Sequence, residues 1–167
     1  MKKIILAMIA VMVPLMLSAG STDFCFRHFS VEDGLSSCAV RAIMQDKYGF
    51  MWLGTDDGLN RYDGTTIKIY RLNPEGVNDY ISFLYDTTDR IWIGTGDGVY
   101  IYDYETENFE PFKLLTAKGD SIKTNVNHIA EDRDGNLWFS TVGQGIFKYN
   151  VSKRYLERYE FKDADGL

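Results

Sequence analysis

The sequence predicts an all-β protein, specifically a partial β-propeller with three four-stranded blades and an orphan outer strand at the N-terminus. Three observations support this fold class: one motif occurs three times, short apolar runs alternate with turn residues, and no apolar stripe with a 3.6-residue period follows the first twenty residues. Aromatic residues make up 14% of the chain and glycine is frequent at turns, as is typical of many short strands.

The repeated motif is centred on a tryptophan. An aspartate lies six residues before each tryptophan, a threonine three residues after it, and a tyrosine ten residues after it, or eleven in the third copy, where one residue is inserted near Gly143. Self-similarity at a fixed spacing indicates a repeat architecture. The residues assigned to structural roles in the repeat are Asp46, Trp52, Gly54, Thr55, Tyr62, Asp86, Trp92, Gly94, Thr95, Tyr102, Asp132, Trp138, Thr141 and Tyr149.

The length of the repeat follows from a second recurrence. The segment Phe29–Leu35 returns as Phe161–Leu167, 132 residues later, which is three repeats of 44 residues. Four strands in about 44 residues is the size of a propeller blade. The predicted boundaries are an orphan strand at 24–29, blades at 40–70, 80–112 and 126–161, and the start of a further linker at 162–167.

The second strand of each predicted blade is apolar at consecutive positions and does not alternate with polar residues. Such a strand is covered on both faces, as in sheets that stack face to face around an axis. A small residue, Gly54, Gly94 or Ser140, lies two positions after each tryptophan and leaves room for a bulky neighbour. A β-sandwich would not need three near-identical strands, and a β-helix would have shorter rungs.

The first twenty residues have the pattern of an export signal. Lys2 and Lys3 precede an apolar run that ends before Ser18-Ala19-Gly20, so we expect cleavage after Gly20 and a periplasmic location. A retained membrane anchor is the rival interpretation, but the fourteen-residue run 4–17 is short for a bilayer span of ~20 residues. Without Lys2 and Lys3 the chain has 16 basic and 24 acidic residues, a net charge of −8 with no basic block, so nucleic acid is not an expected partner.

The two cysteines, Cys25 and Cys38, would both enter an oxidising compartment. A disulfide between them and two separate small buried side chains are both compatible with the sequence, because spacing does not reveal geometry.

The chain offers no convincing catalytic or metal-binding motif. The repeated aspartates stand at hairpin starts, where a carboxylate accepts backbone N–H groups of the turn. The segment 132–143 resembles a calcium loop but lacks glycine at its sixth position and glutamate at its twelfth. His28 and His128 lie at different offsets in different repeats, so we predict no metal, no cofactor and no catalytic residue.

Ligand binding is the better candidate. Loops at one end of a propeller vary while the repeat stays fixed, so non-repeated residues there can determine specificity. For Tyr80, stacking on a sugar ring and ordinary packing remain alternatives. The candidate ligand-binding residues are Arg41, Asp56, Asp57, Tyr80, Asp97, Asn127 and Gln144.

The motif resembles the two-component regulator propeller repeat, Asp-x-x-Gly-x-x-Trp-x-Gly-Thr-x-x-Gly-Leu-x-x-Tyr. In the first copy the matching residues are Asp46, Gly49, Trp52, Gly54, Thr55, Gly58, Leu59 and Tyr62. The resemblance covers residues 24–167, and its departures are Asp89 and Ser140 in place of glycine and a one-residue displacement of Gly145. The opening segment is similar to the N-terminal start of hybrid two-component sensors of glycan-degrading bacteria.

The resemblance implies a periplasmic sensor segment that recognises oligosaccharides from polysaccharide breakdown. In that family the propellers are followed by an immunoglobulin-like domain, a membrane helix, a histidine kinase, a receiver and a DNA-binding domain. No kinase or regulator motif occurs in these 167 residues, so no signalling chemistry is expected of them. A carbohydrate-active lyase or hydrolase using acids such as Asp56, Asp57, Asp97 or Glu131, and a non-functional remnant of a longer gene, remain alternatives.

Three blades do not close a ring, which typically takes four to eight. We therefore expect the chain to be a fragment of a longer receptor, with its open blade faces covered by further blades of that receptor or by self-association.

Overall fold

The computed structural model of the chain describes residues 26–72 and 80–160. A single turn of 3₁₀ helix at Val31–Asp33 precedes twelve strands. The strands are β1 (Val40–Gln45), β2 (Met51–Thr55), β3 (Gly58–Tyr62), β4 (Ile67–Tyr70), β5 (Ile81–Asp86), β6 (Arg90–Thr95), β7 (Gly98–Asp103), β8 (Asn108–Pro111), β9 (Val126–Glu131), β10 (Leu137–Thr141), β11 (Gly145–Asn150) and β12 (Tyr155–Tyr159).

The strands form three antiparallel four-stranded sheets, each in sequence order, which we call blade 1 (β1–β4), blade 2 (β5–β8) and blade 3 (β9–β12). The first strands of neighbouring blades approach each other across both blade boundaries, β1 with β5 and β5 with β9. This is the arrangement of propeller blades around an axis, with the first strand innermost. The predicted fold class of three four-stranded antiparallel blades is confirmed.

The hydrophobic core lies between blades. Each blade has a trailing face, which carries its tryptophan, and a leading face on the opposite side. In blades 1 and 2 the trailing face packs on the next blade. Between blades 1 and 2, the trailing-face Trp52 and Leu59 pack against the leading-face Ile81, Ile93 and Tyr102, and all five side chains are buried. The ring of Trp52 lies 5.1 Å from that of Tyr102. Each sheet therefore depends on a neighbour to cover its apolar face.

Blades 2 and 3 repeat this packing with different residues. Trp92 and Val99 on the trailing face of blade 2 meet Val126, Phe139 and Tyr149 on the leading face of blade 3. The rings of Trp92 and Phe139 are 5.8 Å apart, and those of Trp92 and Tyr149 are 5.7 Å apart. Two interfaces built on one plan explain why the motif recurs.

Glycine after each of the first two tryptophans is required by the close approach of the next blade. A Cβ added at Gly54 would lie 2.6 Å from Cγ2 of Ile81, and one at Gly94 would lie 3.1 Å from the carbonyl oxygen of Val126. The sequence predicted that these glycines leave space for a bulky neighbour, and Ile81 and Val126 are those neighbours. Ser140 stands at the equivalent position of blade 3, where the described residues include no following blade.

The three tryptophans differ in how completely they are buried. Trp52 and Trp92 are buried, with 0% and 4% of their surface exposed, whereas Trp138 is partly exposed. Trp138 is less completely buried than the other two because no described blade packs on its trailing face. Its ring instead stacks on Tyr159, at 5.6 Å, and lies 4.9 Å from the ammonium group of Lys148.

The aspartates at the first and third hairpins hold the turn and the tryptophan together. Asp46 accepts the backbone N–H groups of Tyr48 and Phe50 with one oxygen and the indole N–H of Trp52, at 2.7 Å, with the other. Asp132 accepts the indole N–H of Trp138 at 2.9 Å and also accepts a hydrogen bond from the side-chain amide of Asn136. These bonds hold the pKa of the Asp132 carboxyl well below its usual range.

Asp86 does not take the corresponding place in blade 2. The hairpin of blade 2 is one residue shorter than those of blades 1 and 3. Asp86 therefore pairs with Ile91 inside the strand ladder, at the position that Gln45 and Glu131 occupy in the other two blades. Thr87 closes the turn instead, donating its N–H to the carbonyl of Arg90 at 2.9 Å. Asp86 accepts the hydroxyl of Tyr104 at 3.0 Å, and burial raises the pKa of its carboxyl.

The N-terminal stretch departs from the predicted strand. Of residues 24–29, the structure describes 26–29, and these form no strand. They are held by side chains: the rings of Phe29 and Tyr62 are 4.9 Å apart, and Arg27 donates to the hydroxyl of Tyr62. Residues 26–29 thus lie against blade 1 through side chains and belong to none of the three described sheets. The signal segment 1–20, Cys25 and the linker start 162–167 lie outside the described residues, and Cys38 is exposed.

We predict that Gly54→Ala destabilises the protein more than Gly94→Ala. The added methyl group collides with Ile81 in the first case and makes only a tight contact in the second, and overpacking typically costs about 1–3 kcal/mol. Both changes reduce the entropy of the unfolded chain equally, so the difference between their free energies of unfolding in urea isolates the collision.

The control is a double-mutant cycle. Gly54→Ala should cost clearly less in an Ile81→Ala background, because the colliding Cγ2 atom is then absent. Equal costs in the two backgrounds would show that the Cγ2 atom of Ile81 is not what makes glycine necessary at position 54.

Candidate functional site

Turns and strand starts from all three blades meet at one end of the sheets, which we call the upper end. It comprises the turns 56–57, 96–97 and 142–144 and the beginnings of the inner strands β1, β5 and β9. At each strand start, a backbone N–H of the turn donates to the carbonyl oxygen of the residue just before the strand. The pairs are Asp56 to Ala39, Gly96 to Tyr80 and Val142 to Asn125. The repeat therefore fixes the backbone of this end in every blade.

Each inner strand contains a β-bulge at the same place. The register shifts between Val40 and Ala42, between Ile81 and Phe83, and between Val126 and His128. A bulge inserts one unpaired residue and re-aims its side chain. The inserted residues are Arg41, Ser82 and Asn127, which differ from blade to blade.

Arg41 forms the best-defined polar cluster of the upper end. Its Nε and Nη2 atoms donate to the two carboxylate oxygens of Asp56, at 2.7 and 3.0 Å, and its guanidinium lies 5.9 Å from the centroid of the Tyr80 ring. The hydrogen bonds to Arg41 hold the pKa of the Asp56 carboxyl below its usual value. Three of the predicted site residues are thus brought together, and both charged side chains remain exposed to solvent by more than a third.

Asp57 points away from this cluster. Its carboxylate and its backbone carbonyl accept hydrogen bonds from Arg71, just after β4, with 2.9 Å between Nη2 and Oδ2. This pairing lowers the pKa of the Asp57 carboxyl and joins the turn to the outer strand. The structure therefore assigns Asp57 to the outer rim of blade 1.

The other predicted site residues are spread over blades 2 and 3. Asp97 is exposed and accepts the hydroxyl of Thr95 at 2.7 Å, and Asn127 is exposed at the bulge of β9. Gln144 binds the preceding linker, accepting the N–H of Lys123 at 3.0 Å and donating to the carbonyl of Ser121. Gln144 thus anchors the chain, whereas Asp97 and Asn127 face solvent.

Ser82 is a bulge residue of the candidate site that the sequence reasoning missed. By register it is equivalent to Arg41 and Asn127, whereas Tyr80 is equivalent to Ala39 and Asn125. The shorter hairpin of blade 2 moves the equivalent position one residue closer to Trp92, so allowing for hairpin length would have found it. Ser82 donates its hydroxyl to the carbonyl of Val126 at 2.5 Å and so ties blade 2 to blade 3.

Asn125 adds an unsatisfied acceptor beside the bulge of blade 3. Its side-chain oxygen is buried and has no hydrogen-bond partner within the described residues. A buried acceptor normally finds a partner, and ordered water or a bound molecule can supply one.

The opposite, lower end carries a cleft of about 670 Å³ to which all three blades contribute residues. It is lined by Tyr48, Tyr104 and Glu131 among others, and none of the predicted ligand-binding residues reaches it. Asp97 lines a smaller cleft of about 340 Å³ beside the linker to blade 3. Within the described ranges, no three His, Cys, Asp or Glu side chains group together as metal ligands would.

The chemistry available at the upper end suits a polar, uncharged ligand. Arg41 and Asn127 provide donors, Asp56 and Asp97 provide acceptors, and Tyr80 provides an aromatic ring. A few placed polar groups beside an aromatic surface is the usual composition of a small-molecule site. The charge on Arg41 is already balanced by Asp56, which reduces its attraction for an anion.

Comparison with protein families identifies the repeat. Residues 34–57 and 121–143 match the family described as the two-component regulator propeller. These segments contain the inner strand, the hairpin and the tryptophan strand of blades 1 and 3. The resemblance inferred from the motif is confirmed.

Relatives with longer chains share this sequence and fold. Histidine kinase P4 of Formosa agariphila is 54% identical over 59 residues, which are 35% of this chain and 4% of that protein. The extracellular domain of a protein assigned to a hybrid two-component system of B. thetaiotaomicron is 29% identical with a TM-score of 0.72, over 80% of this chain and 20% of that domain. This chain therefore spans about a fifth of that domain and far less of the kinase.

A propeller enzyme has a similar fold at lower identity. Virginiamycin B lyase from Staphylococcus aureus gives a TM-score of 0.57 at 16% identity, over 73% of this chain and 41% of the lyase. At that identity the likeness extends to the fold alone. Within residues 26–72 and 80–160, no helix has the length and apolar character needed to cross a bilayer.

We predict that Arg41→Ala raises the pKa of Asp56 toward 3.8, the value for an isolated aspartate, because its hydrogen-bonded cation is lost. In the wild type the contribution of Asp56 to stability is present above pH 3.8 and is lost as the pH falls through its lowered folded-state pKa. NMR titration of the carboxyl carbons measures both values.

The matched control is Arg71→Ala, which should raise the pKa of Asp57 and leave that of Asp56 unchanged. If either arginine substitution moved both carboxyls equally, the two ion pairs would not be separate and the assignment of Asp57 to the rim would be wrong.

Proposed function

We propose that this chain, which carries two-component regulator propeller repeats, is a non-catalytic ligand-recognition segment of an exported hybrid two-component sensor. Its proposed ligands are oligosaccharides released from glycans. The observation that carries the proposal is the β-bulge shared by β1, β5 and β9, which presents a different polar residue at the upper end of each blade.

The bulges are the positions of the inner strands at which the three blades differ. The tryptophan strands and hairpins pack the blades, and their residues repeat from blade to blade, whereas Arg41, Ser82 and Asn127 do not. Residues that vary on a constant scaffold are where binding specificity is expected. The unsatisfied oxygen of Asn125 supports the same location, because a hydroxyl group of a ligand or an ordered water molecule could bond it.

An oligosaccharide fits the groups available there. Sugar hydroxyl groups both donate and accept hydrogen bonds, which suits the paired Arg41 and Asp56 and the amide of Asn127. The ring of Tyr80 offers an apolar surface beside Arg41. The resemblance to sensors of glycan-degrading bacteria supports this ligand class.

The acids of the upper end do not favour an enzyme. Glycoside hydrolysis needs one carboxylic acid with a raised pKa to protonate the leaving group. Asp56 and Asp57 instead have lowered pKa values, because each is paired with an arginine. Asp86, whose pKa is raised by burial, lies at the end of β5 that joins the lower hairpin and is bonded by Tyr104.

Export and signalling complete the proposal. Residues 1–20 act as a cleaved signal peptide that delivers the recognition segment to the periplasm. Its relatives are an extracellular domain of a hybrid two-component system and a histidine kinase. In a sensor of that type, ligand binding at the propeller would be passed to a kinase outside these 167 residues.

The test is isothermal titration calorimetry of the purified protein with short oligosaccharides of neutral sugars and of uronic acids. We expect at least one neutral oligosaccharide to bind, and Asn127→Ala and Arg41→Ala each to weaken it about tenfold, which corresponds to one hydrogen bond of ~1.4 kcal/mol. Prolonged incubation should leave the oligosaccharide intact by mass spectrometry.

Arg133→Ala is the control, since Arg133 is exposed on the hairpin at the lower end. It should bind as the wild type does. An equal loss of affinity in this variant would show that the site lies at the lower end. Turnover of the oligosaccharide, if Asp56→Asn abolished it, would overturn the non-catalytic assignment.

A further inference from the structure

The tryptophan of blade 2 lacks the hydrogen bond that the tryptophans of blades 1 and 3 make. Trp52 donates its indole N–H to Asp46 at 2.7 Å, and Trp138 donates its own to Asp132 at 2.9 Å. Within the part of the chain that the structure describes, the indole N–H of Trp92 has no acceptor at hydrogen-bond distance, although its side chain is only 4% exposed. A nearly buried N–H normally has a partner, because leaving it unpaired is unfavourable.

The short hairpin of blade 2 is the reason. Thr87 holds the turn position of Asp46 and Asp132, because each of these three residues donates its backbone N–H to the carbonyl that closes its hairpin. The hydroxyl of Thr87 donates to the carbonyl oxygen of Arg90 at 2.9 Å. Blade 2 therefore supplies no carboxylate to its tryptophan at the place where the other two blades supply one.

The indole N–H of Trp92 is turned toward the lower cleft of about 670 Å³, which Trp92 and Thr87 both line. The ring packs on the next blade as that of Trp52 does: Trp92 lies 5.7 Å from Tyr149, and Trp52 lies 5.1 Å from Tyr102. The N–H edge therefore faces the hairpin in both blades. The fully enclosed, unpartnered side-chain atoms of the described residues do not include this N–H, so it can be reached from the cleft.

The walls of the cleft limit how much negative charge a ligand can carry. Arg90 lies 3.7 Å from Asp103, and the ammonium group of Lys47 lies 4.5 Å from the centroid of the Tyr104 ring. Three cations can offset one negative charge, whereas four acids on the same walls repel a polyanion. The charged side chains that line the cleft are Lys47, Arg90, Arg154, Asp89, Asp103, Glu105 and Glu131.

We propose that the lower cleft binds a small ligand through a single carboxylate, which accepts the indole N–H of Trp92 as Asp46 and Asp132 accept those of the other two tryptophans. An indole N–H is a donor only, and a charged acceptor makes the stronger hydrogen bond with it. The volume of the cleft is within the range of small-molecule sites. The site lies at the opposite end from Arg41 and Asn127, so it is independent of the oligosaccharide site proposed above.

The test follows the three indole N–H signals of the purified, nitrogen-labelled protein by NMR at neutral pH, with Trp92→Phe to assign the signal of interest. Before any addition, the N–H of Trp92 should exchange with water faster than those of Trp52 and Trp138, which are bonded to carboxylates. Sodium acetate should then shift the Trp92 signal downfield to saturation and leave the other two in place.

Two additions serve as controls for the carboxylate. Sodium chloride at equal ionic strength reports screening alone, and acetamide presents a neutral group of similar shape. Neither should produce the saturable shift. An exchange rate for the Trp92 N–H as slow as those of the other two tryptophans, no shift with acetate, or an equal shift with acetamide would each overturn the proposal.

Thr87→Asp is the decisive variant, because it supplies a carboxylate from the chain itself at the turn position of Asp46. It should slow the exchange of the Trp92 N–H and abolish the shift with acetate. Thr87→Val, which has the same shape as threonine and no carboxylate, should keep the shift. Unchanged signals of Trp52 and Trp138 verify the fold of both variants. A shift that persists in Thr87→Asp, or that disappears in both variants, would contradict the assignment of the N–H as the ligand contact.

The source of the carboxylate is distinguished by two further titrations of the same signal. Glucuronate carries it on a sugar, and N-acetylglycine carries it as a peptide terminus does. We expect one of the two to bind more tightly than acetate, because its remaining polar groups can also reach the walls of the cleft. If neither does, acetate is an adventitious additive only, and the cleft is not a ligand site.

Discussion

Face-to-face packing of the blades is the constraint on which the rest of this structure depends. A four-stranded sheet of this size has two faces and no internal volume, so it buries apolar side chains only against another sheet. The indole of Trp52 is buried because Tyr102 and Phe109 of the next blade cover it, and Trp92 is covered in the same way by Phe139 and Tyr149. Stability is therefore shared between neighbours, and a blade at an open edge lacks part of it.

Much of this fold could be predicted because the packing between blades requires particular residue types at fixed positions of the repeat. The Trp-x-Gly pattern records a close blade contact directly, since only glycine at position 54 leaves room for Ile81. Likewise, Thr55, Thr95 and Thr141 each donate their hydroxyl group to the carbonyl that closes the following turn. A residue type that has the same geometric role in each described blade can therefore be recognised from the motif alone.

The remaining features depend on properties that residue spacing does not express. A hairpin one residue shorter moves Asp86 into the strand and sets Ser82, rather than Tyr80, at the bulge of blade 2. The partial exposure of Trp138 reflects its neighbours, and a repeat motif reads the same at an internal and at an outermost blade. The ion pair that directs Asp57 to Arg71 depends on where β4 ends, which the motif does not specify. Hairpin length, blade order and strand ends thus account for the differences.

The same architecture separates what must stay constant from what can change. The tryptophan and the turn threonine recur in all three blades, and glycine recurs in the two blades that a described blade covers, because a larger residue there would alter the spacing between blades. The bulge residue has a different environment: it is left out of the ladder, so Arg41, Ser82 and Asn127 can differ without disturbing strand pairing. Because the inner strands β1, β5 and β9 also approach each other most closely, a ligand bridging two bulges would contact two blades at once. Ligand binding at the bulges, as proposed, would therefore be coupled to the packing between blades through the inner strands, and a change in blade spacing is a physical route by which a bound ligand could alter the rest of a ring.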